Sequence, residues 1–211
     1  MHRISIFFFA LMLTLGISTK VSAGEFFNTA PLGAQVSIVL DSSGGVFSEP
    51  ESVYKMVNKT VTKIFQGTNY KVIPIEKTDA DVQIYKEEHD IVETSSTDKN
   101  VPDRSLKMAD LKNLGEQFDS EFVVYVRIVS SAPQATEGMM SSGQKSNVSM
   151  DFRIYSVAKE DYIYKKRSVR TGKSDSFYKG SGSSKRALEK GLRKDLAEVE
   201  KEIAQIHAAM K

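Results

Sequence analysis

The sequence of 211 residues contains no cysteine. This absence excludes disulfides, thiolate metal ligands and a cysteine nucleophile. It also predicts that the protein is not a lipoprotein, because the lipidated residue after the leader would have to be cysteine. The fold must then be stabilised by its core alone. A chain of this length can supply such a core, since a domain of about 150 residues buries roughly 70% of its unfolded surface.

Long apolar runs are also missing, except at the N-terminus. There, Met1, His2 and Arg3 form a short cationic start, an apolar run covers residues 4–17, and small residues stand at 21–23. This pattern predicts a secretory signal peptide over residues 1–23, cleaved after Ala23. An uncleaved membrane anchor is the alternative, but the run is shorter than the roughly 20 residues that span a bilayer.

Export places the mature chain in the periplasm or outside the cell. We expect it to be soluble there, with no transmembrane segment. Residues 24–34 are expected to form a flexible N-terminal lead, and residues 35–211 a single domain.

Histidine is scarce, which limits the catalytic chemistry open to the chain. Outside the leader only His89 and His207 remain. His89 lies in the acidic run 87–90, and a metal-dependent or hydrolytic enzyme using this cluster is our alternative function. Consecutive helical residues point in different directions, so these side chains do not converge on one ion. We therefore expect no metal, no cofactor and no catalytic residue.

The motifs of common enzymes are missing as well. Neither a GxSxG nor an HExxH pattern occurs. Thr171-Gly172-Lys173-Ser174 has the end of a phosphate-binding loop, but Arg167 stands where the first glycine belongs. The segment also follows an apparent hairpin and not a strand that leads into a helix, so a nucleotide site is not expected here.

Net charge is nearly zero, yet it is unevenly distributed. Of 29 Lys and Arg, Arg3 and Lys20 lie in the leader, which leaves 27 against 27 Asp and Glu. Cations are concentrated between residues 165 and 194, where Asp175 and Glu189 are the only acids. Such a concentration predicts a binding surface for an anionic partner, either an envelope protein or an anionic envelope polymer. A solvated rim that balances the acidic N-terminal half is the alternative.

The residues predicted to form this basic surface are Lys165, Lys166, Arg167, Arg170, Lys173, Lys185, Arg186 and Lys190. Nucleic acid is not an expected partner, because it does not suit an exported protein and aromatic stacking platforms are sparse.

Hydrophobic periodicity predicts the elements β-α-β-α-α-β-β-β-α. They form an α/β (α+β-like) fold: a single mixed sheet of about four to five strands with an antiparallel C-terminal hairpin, helices packed on it and a long C-terminal helix. The predicted strands are 35–40, 70–75, 122–129 and the hairpin 148–172. The predicted helices are 50–66 and 78–91, capped by Ser48 and Thr78, then 105–118 with Met108, Leu111 and Leu114 on one side, and 184–210. Residues 41–45, 92–102, 130–145 and 171–184 are expected to be loops.

The hairpin at 148–172 is the most regular of these segments. Its first arm alternates apolar residues at 148, 150, 152 and 154 with polar ones, which predicts one face against the core and one in water. In the second arm, Tyr162 and Tyr164 are expected on one face, and Ile163 and Val169 on the other. Which of these faces points inward is left open by the pattern.

A family resemblance rests on three consecutive stretches. LKNLGEQFDS (111–120) leads into FVVYVRIV (122–129), the hairpin VSMDFRIYSVAKEDYIYKKRSVRTG follows at 148–172, and a helix begins with SSKRALEKGL. The run resembles the small periplasmic α/β domain shared by the TolB amino-terminal domain, CsgG and LpoB. This resemblance implies a non-catalytic envelope domain that binds other proteins. The lipidated cysteine, the β-propeller of TolB and the membrane hairpins of CsgG have no counterpart here.

We therefore expect an exported, non-catalytic protein-binding or assembly module of the cell envelope. A further possibility is that a sheet edge at Tyr70–Ile75 pairs with a strand of a partner.

Overall fold

The computed structural model describes residues 34–43, 50–91, 105–137, 141–177 and 183–211. The predicted signal peptide, nearly all of the N-terminal lead, the cap at Ser48 and the loop at 92–102 lie outside these residues. So does the tip of the predicted loop at Met139 and Met140. The described residues of the predicted domain carry one continuous sheet with helices on it.

A six-stranded mixed sheet forms the centre of the molecule. Its strands are β1 (Gln35–Ser43), β2 (Lys71–Ile73), β3 (Ser120–Ser130), β4 (Gln134–Glu137), β5 (Ser141–Ser156) and β6 (Asp161–Phe177). The order is β2-β1-β3-β5, and both β4 and β6 pair with β5. β1 is parallel to β2 and β3, whereas β5 is antiparallel to β3, β4 and β6. The predicted α/β class, mixed sheet and C-terminal hairpin are confirmed, with more strands than expected.

Within the described residues, five helices cover the sheet: α1 (Glu51–Ile64), α2 (Ile75–Glu88), α3 (Met108–Gln117), α4 (Ser184–Glu200) and α5 (Ile203–Met210). The first core packs α1, α4 and α5 on one face and includes Val57, Phe152 and Leu192. The second core packs α2 and α3 on the other face and includes Val82 and Tyr125. Burying an aliphatic or aromatic side chain contributes about 1.5–3 kcal/mol, so these two cores supply the main stabilisation.

The prediction that one face of the hairpin lies wholly in water is wrong. The apolar set at 148, 150, 152 and 154 is buried against α4, as expected. Tyr155, however, points to the opposite face and is 1% exposed, because it packs in the second core with Tyr125 and Leu114. The opposite face of the hairpin is therefore covered near Tyr155, close to the turn, and exposed further from the turn, at Val169.

Two predicted loops are strands. The region 130–145 contains β4 and the beginning of β5, and 171–184 contains the end of β6. Ser, Gly, Gln and Lys have low strand propensity, so local sequence gave no signal there. The long ladder between β5 and β6 overrides that propensity, and Ser146 and Ser174 are buried within it.

The two tyrosines of the second arm lie on opposite faces, which contradicts the prediction. Ile154 pairs with Tyr164 and Tyr155 pairs with Tyr162, so Ile163 is an extra residue in β6. Such a β-bulge reverses the alternation of side chains on one side of it. Tyr164 consequently packs in the first core and Tyr162 against the second.

Several helix details also differ from expectation. Helix α2 begins at Ile75 after Pro74, so Thr78 lies inside it and its Oγ1 donates to the carbonyl of Ile38 at 2.5 Å. Met108 is 45% exposed and not inward-facing. The long C-terminal helix is divided at Lys201, where Glu202 accepts hydrogen bonds from the hydroxyl of Tyr164 and from Lys166.

Candidate binding surface

The eight cations predicted to form one basic surface lie in three places. The alternation of β6 sends Lys166 and Arg170 to the face that packs on α4, together with Tyr164. Lys165, Arg167 and Lys173 point to the opposite face. The remaining three, Lys185, Arg186 and Lys190, are on α4 itself.

The two cations that face α4 are paired with acids. Lys166 forms an ion pair with Glu202, and the Nε of Arg170 lies 3.5 Å from Oδ1 of Asp195. Asp195 is fully buried, and burial raises the pKa of its carboxyl above the ordinary value, with Ser168 and Arg170 acting in the opposite direction. Arg170 therefore joins α4 to the sheet, and Lys166 joins the sheet to the break between α4 and α5.

The other three strand cations belong to a surface that we call the outer face of the hairpin. It consists of alternate side chains of two paired strands: Lys145, Asn147, Ser149, Asp151 and Arg153 from β5, and Lys165, Arg167, Val169, Thr171 and Lys173 from β6. Val169, at its centre, is 64% exposed. Lys165, Arg167 and Lys173 are exposed as well.

The outer face carries an excess of positive charge. Its one carboxylate, Asp151, accepts a hydrogen bond from Nε of Arg153 at 2.9 Å, and this bond is the largest of the effects that raise the pKa of that guanidinium. Nζ of Lys165 lies 4.5 Å from the ring centroid of Tyr162, a cation–π contact. Arg167 and Lys173 add charge across from Asp151 and Lys145 in the ladder.

The three predicted cations on α4 lie in its first two turns. Ser183 caps the helix, and its hydroxyl accepts from the backbone N–H of Arg186 at 3.4 Å. Arg186 and Lys190 are exposed, and Lys185 is half-buried. Because α4 packs on the face of the sheet opposite to the outer face, these cations and those of the outer face do not form one surface.

The acidic run at His89 has no convergent geometry. Glu87, Glu88, His89 and Asp90 are all exposed at the end of α2. The ring of His89 stacks on Tyr85, and its Nδ1 lies 2.8 Å from the carbonyl oxygen of the same residue. Among the described residues, no group of three or more His, Cys, Asp or Glu side chains is arranged to hold a metal ion.

The stretch Thr171–Ser174, which looked like part of a phosphate loop, is a straight portion of β6. Gly172 lies under α4, where an added Cβ would be 1.6 Å from the carbonyl oxygen of Ala187. Because Gly172 has no side chain, it allows α4 to approach β6 closely.

Sequence reasoning missed a buried charged cluster on the second face of the sheet. Asp41 accepts from the hydroxyl of Tyr125 at 2.8 Å and from Nζ of Lys86 at 3.1 Å, and Nε of Arg127 lies 3.8 Å away. Burial is the first cause that raises the pKa of Tyr125. Asp41 had been placed in a loop, and the pattern gave no sign that β1 continues through it. The ion pair between Lys86 and Asp41 joins α2 to the sheet.

No protein-family model matches the chain, and the search of curated proteins gave no match. Solved structures do match. A lipoprotein from Neisseria meningitidis is 15% identical, with 81% of this chain and 98% of that one covered at a TM-score of 0.37. A putative neuraminyllactose-binding hemagglutinin homolog from Helicobacter pylori is 9% identical. The match covers 85% of this chain and 87% of that one, at a TM-score of 0.43.

The C-terminal domain of LpoB from Salmonella enterica also matches, with 6% identity and a TM-score of 0.34. This match covers 67% of this chain and 84% of that one. The LpoB domain, one of the three named for the sequence resemblance, is thus among the solved structures that match the chain at a low TM-score. These likenesses carry no information on function. None of the helices in the described part of the chain is both long and apolar enough to cross a membrane.

Proposed function

We propose that this protein is an exported, non-catalytic binding module of the cell envelope, and that the outer face of the hairpin is its binding surface for an anionic partner. The observation that carries the proposal is the placement of Lys165, Arg167 and Lys173 around the exposed Val169, on a sheet face that no helix of the described residues covers at this end. The apolar N-terminal run supports export.

A non-catalytic role agrees with how the histidines of the mature chain are used. Nδ1 of His89 lies 2.8 Å from the carbonyl oxygen of Tyr85, and Nε2 of His207 lies 2.5 Å from that of Ile64. Both rings thus serve local structure.

An anionic partner is favoured over a neutral one because surface cations interact mainly through their combined field. The mature chain has balanced charge, so any retention on a polyanion depends on how charge is arranged and not on its total. Two triple variants with the same net charge can therefore show whether retention depends on the cations of the outer face or on those of α4.

The test is retention of the mature protein on a heparin column, used as a defined polyanion. We expect K165E/R167E/K173E to elute at clearly lower salt than the native chain, because these three side chains share one open face. The matched control, K185E/R186E/K190E, changes net charge equally on α4 and should elute later than the outer-face variant. Equal elution of the two variants would contradict the proposal, with thermal unfolding of each confirming that both fold.

A further inference from the structure

The far edge of β6 is a long strand edge without a neighbour among the described residues. β6 runs over Asp161–Phe177 and pairs with β5 through nearly its whole length, and no other strand in the described ranges pairs with it. Edge strands present a row of N–H and C=O groups to which another strand can bond. By contrast, β2, the edge at the other side, is limited to Lys71–Ile73 and is followed by Pro74, which has no N–H.

The register determines which residues of β6 direct their backbone outward. The N–H of Ser131 donates to the carbonyl of Asn147 at 2.9 Å, so Asn147 directs its backbone groups toward β3. In an antiparallel ladder the two groups of one residue point the same way and successive residues alternate. Thr171, which is opposite Asn147, therefore directs its N–H and C=O to the free edge.

The same alternation applies to every second residue of β6 from 165 to 173. These are Lys165, Arg167, Val169, Thr171 and Lys173, whose side chains also lie on the outer face. A strand added at this edge would thus bond to the very residues that carry the exposed cations. Its paired side chains would lie about 5 Å from theirs.

The charges on this edge indicate which strand it accepts. A second copy of β6, paired antiparallel about Val169, would place Lys165 of each copy opposite Lys173 of the other, and like charges directly opposite each other are destabilising. A segment with acids at alternate positions would instead meet Lys165, Arg167 and Lys173 on one face, while Val169 offers an apolar contact between them.

We propose that the edge of β6 binds an extended acidic segment of a partner protein by strand addition, with acids at alternate positions against Lys165, Arg167 and Lys173. This inference rests on the proposed function, because it uses the cations of the outer face. It goes further by naming the kind of partner and the backbone contacts, which an anionic polymer could not make.

The probe is a synthetic peptide of about eight residues in which glutamate and threonine alternate, a length typical of one strand. Its control is the same peptide with N-methyl groups on alternate amides, in the two possible registers. N-methylation removes hydrogen-bond donors and retains charge. We expect the unmodified peptide to bind the mature protein at least about tenfold more tightly than the form methylated on the amides that face β6, a difference of about 1.4 kcal/mol. The form methylated on the other amides, which point away from β6, should bind nearly as well as the unmodified peptide. On binding, amide exchange should slow at residues 165–173.

Two protein variants provide a second test of strand addition. Val169→Pro removes an N–H that points to the free edge, which a strand tolerates, whereas Ser168→Pro removes one that bonds to β5 and should unfold the hairpin. We expect Val169→Pro to fold, as judged by its thermal unfolding, and to lose the peptide. If Val169→Pro does not fold, the comparison of the methylated peptides still tests strand addition.

The outcomes separate the two proposals. Equal binding of all three peptides would overturn strand addition and leave the charged surface in place. Failure of every peptide, with retention on heparin still dependent on the outer face, would also overturn strand addition alone. If the peptides fail and retention does not depend on the outer face, both proposals are wrong.

Discussion

Gly172 lies directly beneath α4, and its missing side chain determines how closely the helix approaches β6. A Cβ at this position would stand 1.6 Å from the backbone oxygen of Ala187, and backbone cannot move aside as a flexible side chain can. Gly172→Ala should therefore lower the free energy of unfolding by about 3 kcal/mol, at the upper end of the cost of overpacking.

Urea denaturation of Gly172→Ala and of Val169→Ala measures this effect. Val169 is exposed on the outer face, and the change there should stay within about 0.5 kcal/mol. Similar losses for the two variants would show that α4 does not pack on Gly172 as the structure has it.

Asp195 provides a test through pH. Its folded-state pKa is raised, first of all by burial, so the folded protein binds the proton more tightly than the unfolded chain does. The resulting stabilisation is fully present below the ordinary pKa of about 4 and is lost as pH rises through the higher folded-state pKa. Asparagine does not titrate. The stability of Asp195→Asn relative to the native protein should therefore increase from about pH 4 to about pH 8.

Urea unfolding from about pH 3 to about pH 8 is the measurement. Glu198→Gln serves as the control, because hydrogen bonding to Lys201 lowers the pKa of the Glu198 carboxyl, so its effect has the opposite sign and appears at the acid end of the range. A relative stability of Asp195→Asn that stays constant, or falls, as pH rises would contradict the burial of this carboxylate.

At the scale of elements, the β-bulge in β6 makes the two tyrosines of the strand unequal. The hydroxyl of Tyr164 donates to Glu202 at 2.7 Å and joins β6 to the α4–α5 break, whereas that of Tyr162 accepts from Arg153 at 3.4 Å. Tyr164→Phe should cost about 1 kcal/mol, since a bond to a charged acceptor is lost but Lys166 continues to pair with Glu202.

Tyr162→Phe should cost less than half as much, because its hydrogen bond is long. Chemical denaturation of the two variants side by side distinguishes the bulged arrangement from a regular strand. In a regular strand both tyrosines would share a face, and the two substitutions would have comparable effects.

The sequence predicted those elements whose hydrophobic period agrees with their packing. The stripe of α1, the buried strand β3 and the first arm of the hairpin all have this agreement. The missed features depend on distant partners. The strand β4 and the end of β6 are held by the ladder with β5, and the bulge at Ile163 interrupts an alternation that local pattern reading assumes to continue.

The candidate site was predicted only in part, for a similar reason. Charge density along the chain singled out the right region, but position along the chain does not tell on which face of a strand a side chain lies. The alternation of β6 divides the neighbours Lys165 and Lys166 between the outer face and α4. Pairing with Glu202 then depends on where the C-terminal helix is broken, which its continuous apolar stripe did not indicate.

For the whole molecule, the alternation of β6 separates two groups of cations. Cations facing α4 pair with acids and stabilise the domain, while those on the outer face remain available at an edge of the sheet. Under the proposed function, the partner therefore binds at one end of the molecule, on the hairpin, and not on the exposed side of α4.

The most direct measurement is site-specific photocrosslinking in intact cells. A photoreactive side chain replaces Val169 on the outer face in one variant and Lys190 on α4 in another, both exposed positions. The account predicts a defined adduct from position 169 and none from position 190. The adduct from position 169 should disappear when the same chain also carries K165E/R167E/K173E. An adduct from position 190 alone, or one from position 169 that survives the charge reversal, would contradict it.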